Sequence, residues 1–441
     1  MTGEKKILII AYHFPPDAAV GALRPQKFAK YLPEFGWNPY VLTIKEKYIE
    51  QTDASRLDDV RNVPAFRTSF IPNPLRFYFR TRDRIWGPSQ KTSAGTSGTA
   101  PDAFVLPPAQ RIKKFISEFI YLPDYHLFWA ITAVVKGVSL VRRYDIKYVY
   151  ATSPPHSVDL IGYLVSRLTG KKLIIDHRDP WALCAGRRES KAIVRIHHAL
   201  ERIVFDRASC ILTTSEQYTQ GLRELSGANS HKMHTVYNGY DGDDFGAESP
   251  EPPQDAFVLT YLGKLYLNRS PVSFLKAAGA LAKGDAEIAR RLRIDFIGSG
   301  KEFKGISLEQ IVAEEGLTDS VRFLDQVSYR NAIELMRKSH VLLLFASGQH
   351  YQIPGKAFDY MASRRPILAF TEEDSSTTEL IHRFRAGVVV PLDDIEGIRK
   401  GIMELYQSRS DADAFYRDVD ISVLERKRQT QRLAEILDDI R

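Results

Sequence analysis

Short apolar runs of strand length recur along the sequence, and an amphipathic helical pattern follows almost every one. KKILIIAY, NPYVLTI, KYVYATS, KLIIDHRD, CILTTS and MHTVYNG form a first series, with helical patterns near 24–34, 110–142, 156–168, 190–207 and 216–226 between them. Strands buried on both faces read as continuous apolar runs, and intervening helices cross over to keep them parallel. The rhythm predicts a doubly wound α/β domain. After AESPEPPQD at 246–254 it restarts with AFVLTYLG, LRIDFIG, VRFLDQ, HVLLLFA, PILAF and AGVVVPL. The expected organisation is a domain over 1–245, a proline-rich acidic hinge over 246–254, a second domain over 255–415, and a helical stretch over 416–441 packing back on the first domain. At 441 residues the chain is long enough for two hydrophobic cores. WGPSQKTSAGTSGTAPDAFVLPP, around 86–108, has no apolar period and reads as a mobile loop within the first domain.

Composition excludes several classes. No repeat of fixed period is visible, which removes solenoids and propellers. The two cysteines, Cys184 and Cys210, stand alone without a partner motif, so neither a disulfide framework nor a zinc site is implied. The apolar run of MTGEKKILII is only strand-long and meets FPP instead of a cleavage site, which predicts a cytoplasmic protein without a signal peptide. The longest apolar stretch, LFWAITAVVKGVSLV, is cut by Lys136 and falls short of the roughly 18 residues a spanning helix needs. A formal net charge of +7 suits nucleic acid, anionic lipid or a phosphorylated substrate, and does not choose among them.

In open α/β sheets ligands sit beyond the carboxyl ends of the strands, so the chemistry is sought in those loops. A dinucleotide fingerprint needs G-x-G-x-x-G and a later acidic residue, whereas the first loop offers only Gly21, and VLTI is followed by Lys45. NAD-dependent hydride transfer is therefore disfavoured. Gly21 would still let a ligand approach a helix N-terminus, with Arg24 as a cation for an anion or as a plain solvated side chain. ATSPPHSVDLIG sets Ser153 and His156 around a stiff Pro-Pro turn, where Ser153 either caps the helix or touches substrate. IIDHRDPWAL places Asp176, His177, Arg178, Asp179 and Trp181 at one strand end, either to bind sugar hydroxyls or to pair with one another. No metal spacing is apparent there, because His177 lacks a second His or a helical i, i+4 partner. The turn Asn238-Gly239 needs no function to explain it.

In the second half, Gly263 and Lys264 end a strand and Arg269 opens the next helix, a pair of cations suited to a diphosphate or simply to solvent. Gly298-Ser299-Gly300 forms a small turn open to close backbone approach. Pro354-Gly355 precedes a helix with Lys356 in its first turn, where a cation opposes the helix dipole and so points to a bound anion. Asp359, one turn on, is a candidate acceptor for ribose hydroxyls. Glu379 begins another helix, whose Ser and Thr residues are explained by capping.

ILIIAYHFPPDAAVGALRPQKFAKYL, ATSPPHSVDLIG, IIDHRDPWAL, VYNGYDGDDF, FIGSGKE and IPGKAFDYMASRRPILAF, in this order and spacing, resemble the retaining GT-B glycosyltransferases of the family-4 group, bacterial glycosyltransferase group 1. The resemblance covers nearly the whole chain. It implies two Rossmann-like domains facing a central cleft, a nucleotide-diphosphate sugar held mainly by the C-terminal domain and an acceptor held mainly by the N-terminal one, with no obligatory cofactor or metal. On this reading Arg178, Asp179, Lys264 and Arg269 carry catalysis. Gly21, Arg24, Gly263, Gly298, Lys356, Asp359 and Glu379 bind the donor, and His13, Ser153, His156, His177 and Trp181 line the acceptor side. The chain departs from the family's E-x7-E motif: its first glutamate falls at Tyr351 and its second is Asp359. Lys264 stands where Arg is usual and Arg269 where Lys is usual.

The implied reaction is transfer of a sugar to a saccharide or lipid-linked acceptor in cell-surface polysaccharide or glycoconjugate synthesis, with retention. RFYFRTRDRIW and RIKKFISEFIYL interleave basic and aromatic residues as a patch at the inner face of an anionic membrane would, or as a core helix with a basic rim would. No nucleic-acid partner is expected. Two other readings remain at this point: a GT-B scaffold without turnover that binds a saccharide or a partner enzyme, and a sugar-nucleotide epimerase.

Overall fold

A computed structural model describes residues 4–71, 122–184, 190–246, 250–265 and 269–440. The expected loop at 86–108 and the basic-aromatic stretches at 76–86 and 111–121 lie outside the described residues. The chain divides into two compact units, one of residues 1–212 with 226–233 and 440, the other of residues 213–225 with 234–439 and 441.

The first sheet contains β1 (Lys5–Ala11), β2 (Trp37–Ile44), β3 (Ala65–Thr68), β4 (Tyr148–Ser153), β5 (Lys172–His177), β6 (Cys210–Thr213) and β7 (Met233–Thr235), in the order β3-β2-β1-β4-β5-β6-β7. β3 through β6 pair parallel throughout. The sequence dictates this: Ile7–Ala11, Val149–Ser153 and Leu173–His177 are buried without interruption, as strands covered on both faces must be.

The second unit repeats the design with β8 (Phe257–Leu262), β9 (Leu292–Ile297), β12 (Val321–Leu324), β13 (Val341–Phe345), β14 (Ile367–Phe370) and β15 (Gly387–Val390). A two-stranded ribbon of β10 (Glu302–Phe303) and β11 (Ile306–Ser307) stands apart from them. The order is β12-β9-β8-β13-β14-β15, all parallel. Alternation along β13 feeds two cores: Val341, Leu343 and Phe345 pack with Phe274, Phe296 and Phe370 on one face, while Leu342 and Leu344 pack with Phe358, Tyr360 and Met361 on the other. Side-chain caps start several of its helices, with Ser328 accepting from Asn331 N and Ser375 accepting from Thr378 N.

Residues 250–254, at the proline-rich break, are tied to the second unit: Arg365 donates to the Pro250 carbonyl at 3.2 Å and Arg291 to that of Gln254 at 3.0 Å. The helix Arg426–Asp439 also counts with this unit, and its Gln429 side chain accepts from Tyr237 N at 2.7 Å.

In each sheet the strand order reverses direction once, between β1 and β4 and between β8 and β13. Such switch points open crevices beyond the strands' carboxyl ends. Beside the first crevice, Arg24 of the helix Leu23–Tyr31 reaches Asp176 at the end of β5, its Nε 2.9 Å from Oδ2 and its Nη2 2.7 Å from Oδ1. Thr152 of β4 donates to the same carboxylate at 2.7 Å. Burial works against the charge on Asp176, but Arg24 and these hydrogen bonds outweigh it and hold its pKa below the usual carboxylate range. Removing one member strands the other charge in the core. Arg24→Met should lower unfolding free energy by about 3–5 kcal/mol, and Arg24→Met with Asp176→Leu should recover a large part of it. Urea denaturation of the three proteins checks both.

Candidate functional site

The loops at the first switch point are held by a second buried guanidinium. Arg178, one residue past β5, donates from Nε to the Ser153 carbonyl at 3.1 Å and from its two terminal nitrogens to the carbonyls of Gly21 and Pro154. One side chain thus ties three strand-end loops together. Gly21 is the residue that admits it, since a Cβ there would lie 2.7 Å from Arg178 Nη1. The structure therefore corrects two expectations. Arg24 is turned inward onto Asp176 instead of outward to an anion, and the small side of Gly21 is occupied by Arg178. Both follow from burial: a guanidinium without solvent must find its acceptors inside the protein. Asp179 stays partly exposed beyond this network, and its charge acts on Arg178.

Ser153 does not cap the following helix. The N-cap position of Ser157–Thr169 is His156, without a side-chain cap bond, while the Ser153 carbonyl serves Arg178 and its hydroxyl is buried with no partner. His13 pairs with Asp17, Nδ1 to Oδ2 at 2.7 Å, which with the Ala19 N–H keeps the Asp17 pKa low against the effect of burial.

Sequence reading missed Asp159. It is fully buried in the first turn of the helix that His156 opens, and it brings two imidazoles together. His177 Nε2 lies 3.0 Å and His156 Nδ1 3.4 Å from the same oxygen, Oδ2. Burial raises the cost of charge on both Asp159 and His177, yet their attraction prevails: the carboxyl pKa falls and the imidazole pKa rises. His156 stacks on Trp181 with centroids 4.9 Å apart, and Trp181 donates from Nε1 to His197 Nδ1 at 2.8 Å. The signal was present but split, because β4 and β5 are neighbours whose register sets Ser153 beside His177.

In the second unit the switch point gathers cations. Gly263, at φ +99°, follows β8, and its N–H donates to Ile297 O at 2.8 Å. Gly298, at φ +74°, follows β9. Lys356, in the helix Gly355–Ala362, reaches back so that Nζ donates to the Leu262 carbonyl at 2.5 Å and lies 4.2 Å from the Tyr261 ring centroid. Burial, and Arg269 beside it, pull the Lys356 pKa down to about 7. No carboxylate pairs with this ammonium among the described residues. Lys264 is exposed on the same loop. A second cation next to a half-buried, unpaired ammonium is an arrangement that an anion completes.

Asp359, on the same helix, accepts from the Tyr329 hydroxyl at 3.1 Å, and burial pushes its pKa up to about 6 against the pull of Arg426 and Tyr329. Tyr329 carried no signal in the sequence. Glu379 lies in the first turn of the helix Ser376–Arg383, its pKa raised by burial and by Glu216. Tyr351 fills its place with an aromatic ring, 6.1 Å from that of Tyr218 and close over Gly221.

Comparison with known proteins covers both units. Residues 23–239 match the model of the glycosyl transferase 4-like domain, and residues 256–408 match that of glycosyl transferases group 1. The chain is 25% identical over 177 residues to D-inositol 3-phosphate glycosyltransferase 2 of Catenulispora acidiphila, a match spanning 38% of this chain and 41% of that protein. A glycosyltransferase of Rickettsia africae superposes with a TM-score of 0.64 at 12% identity over 99% of this chain and 100% of the other. Anabaena Alr3699/HepE in complex with UDP does so with 0.63 at 13% identity, over 98% and 99%. These structures share the fold.

The Gly263 loop yields a direct check. At φ +99° a side chain is strained, and a Cβ would come 3.3 Å from Lys356 Nζ. Gly263→Ala should cost about 1–3 kcal/mol of stability, measured by denaturant unfolding, whereas Gly284→Ala, where a Cβ meets open space, should cost nothing comparable.

Proposed function

The chain belongs to the group 1 glycosyl transferases, with a family-4-like first half and a group 1 second half, and from that membership we propose that it transfers a sugar, with retention, from a nucleotide-diphosphate donor to a saccharide or lipid-linked acceptor. The observation that carries the donor assignment is Lys356, a half-buried ammonium under the charge of Arg269, with no carboxylate paired to it among the described residues. The Anabaena protein of the same fold is described with UDP, which favours a uridine diphosphate as the first donor to test.

The chemistry requires a diphosphate to leave the anomeric carbon, and negative charge grows on the departing oxygen. Lys356, Arg269 and Lys264 stabilise that charge, while the N–H groups opening the helix Gly355–Ala362 face the same loop. The leaving phosphate takes the acceptor proton, so no protein nucleophile and no obligatory metal is needed for departure. Asp359 accepts from the ribose, and Glu379 and Gly298 complete the donor set. Arg178 acts as a positioning residue that holds the loops of Gly21, Ser153 and Pro154, leaving Asp179 as the carboxylate toward the transferred sugar. His13, His156 and Trp181 face the acceptor. No helix among the described residues is long and apolar enough to cross a membrane. A cytoplasmic enzyme meeting an anionic inner membrane surface through its basic-aromatic stretches, in polysaccharide or glycoconjugate synthesis, fits the charge balance.

Calorimetric titration with UDP, GDP, ADP, dTDP and CMP tests the donor assignment, and binding of none of them overturns it. Binding without donor hydrolysis or transfer would instead leave a scaffold, the outcome that Tyr351 in place of a glutamate makes worth measuring. Lys356 also predicts a pH dependence. Its pKa of about 7 lies below the ordinary lysine value, and a bound diphosphate favours the ammonium, so binding takes up a proton above pH 7. Affinity for UDP-glucose, whose esterified diphosphate does not titrate there, should be flat well below pH 7 and fall by up to about tenfold per pH unit above it. Lys356→Met should bind about 1.5–3 kcal/mol more weakly at low pH and lose the slope.

A further inference from the structure

We propose that His156, Asp159 and His177 form a binding site for a divalent transition metal, independent of the donor site. The three side chains each present one ligand atom, and these atoms lie within 4.8 Å of one another. Zinc bonds of about 2.0–2.2 Å to nitrogen and oxygen place neighbouring donors about 3.0–3.5 Å apart, and the two edges on Asp159 Oδ2 measure 3.0 and 3.4 Å.

An ion pair alone explains the group poorly. Two imidazoles serving one carboxylate by hydrogen bonds would spread over its two oxygens, yet both aim at Oδ2. Oδ1, on a side chain with no exposure, is buried without a hydrogen-bond partner. A buried, unsatisfied carboxylate oxygen is costly, and a cation held by both oxygens of the Asp159 carboxylate removes that cost.

The surroundings match those of a metal ligand set. His177 turns Nδ1 toward Glu201, 4.0 Å from Oε1, the side on which metal-ligating histidines commonly meet a carboxylate. Glu201 is itself held by the Ala182 N–H at 3.3 Å. Trp181 stacks on His156 and fixes the orientation of its ring. His156 remains 16% exposed while Asp159 and His177 are closed off, so it marks the entry path. Two imidazoles and one carboxylate suit zinc, cobalt, nickel or iron better than calcium or magnesium, and three protein ligands leave coordination positions for an oxygen from solvent or substrate.

Cobalt(II) serves as the probe because its visible absorption reports imidazole ligation directly. The chelator-treated full-length protein should bind about one equivalent of Co²⁺ with ligand-field bands that Zn²⁺ abolishes by displacement. His156→Ala, at the partly exposed edge, should keep the wild-type circular dichroism and metal-free melting temperature while losing the bands. Asp159→Asn should lose them as well, and Glu201→Gln should weaken binding by about 10–100-fold. Wild-type protein that binds neither Co²⁺ nor Zn²⁺, or a folded His156→Ala that binds like wild type, overturns the site. Neither outcome touches nucleotide binding, which reports on the other unit.

Discussion

The first unit depends on two guanidinium groups withdrawn from water. Arg24 fixes a helix to the centre of the sheet through Asp176, and Arg178, from the loop after β5, fixes the loops after β1 and β4 through their carbonyls. Neither group can lose its charge, so each must be matched inside the protein or the structure around it gives way. What stays partly open around them, Asp179, His13 and one edge of His156, is what is left for chemistry.

The second unit uses the opposite principle. Its switch point holds Lys356 half-buried against a carbonyl and an aromatic ring, with the charge of Arg269 acting on it and no carboxylate paired with the ammonium among the described residues. A half-buried ammonium beside a second cation is electrostatically unfavourable by itself, and on the proposed function the donor's diphosphate offsets it. Stability in one unit and affinity in the other are thus two outcomes of the same rule, that buried charge needs a partner.

Much of this was legible in the sequence. The continuous apolar runs identified the parallel strands, the restart after 246–254 identified a second sheet, and Lys356 stood out as a cation in the first turn of a helix. The side chains in the Asp-His-Arg-Asp run were harder. Asp176 and Arg178 look alike as charges at a strand end, but pleating and register send one to a helix and the other to the loops after β1 and β4. Asp159 escaped notice because one partner, His156, opens its own helix while the other, His177, ends β5, and Tyr329 because an isolated tyrosine carries no pattern. Strand adjacency, which creates these contacts, is not encoded in local spacing.

Tyr351 stands where the family's motif begins with glutamate, and its ring occupies the space over Gly221 beside Tyr218. A Cβ added at Gly221 would meet the Tyr351 ring at 3.0 Å, so the glycine and the tyrosine fit one another. Position 351 thus presents an aromatic face, packed beside Tyr218, where a carboxylate would present charge.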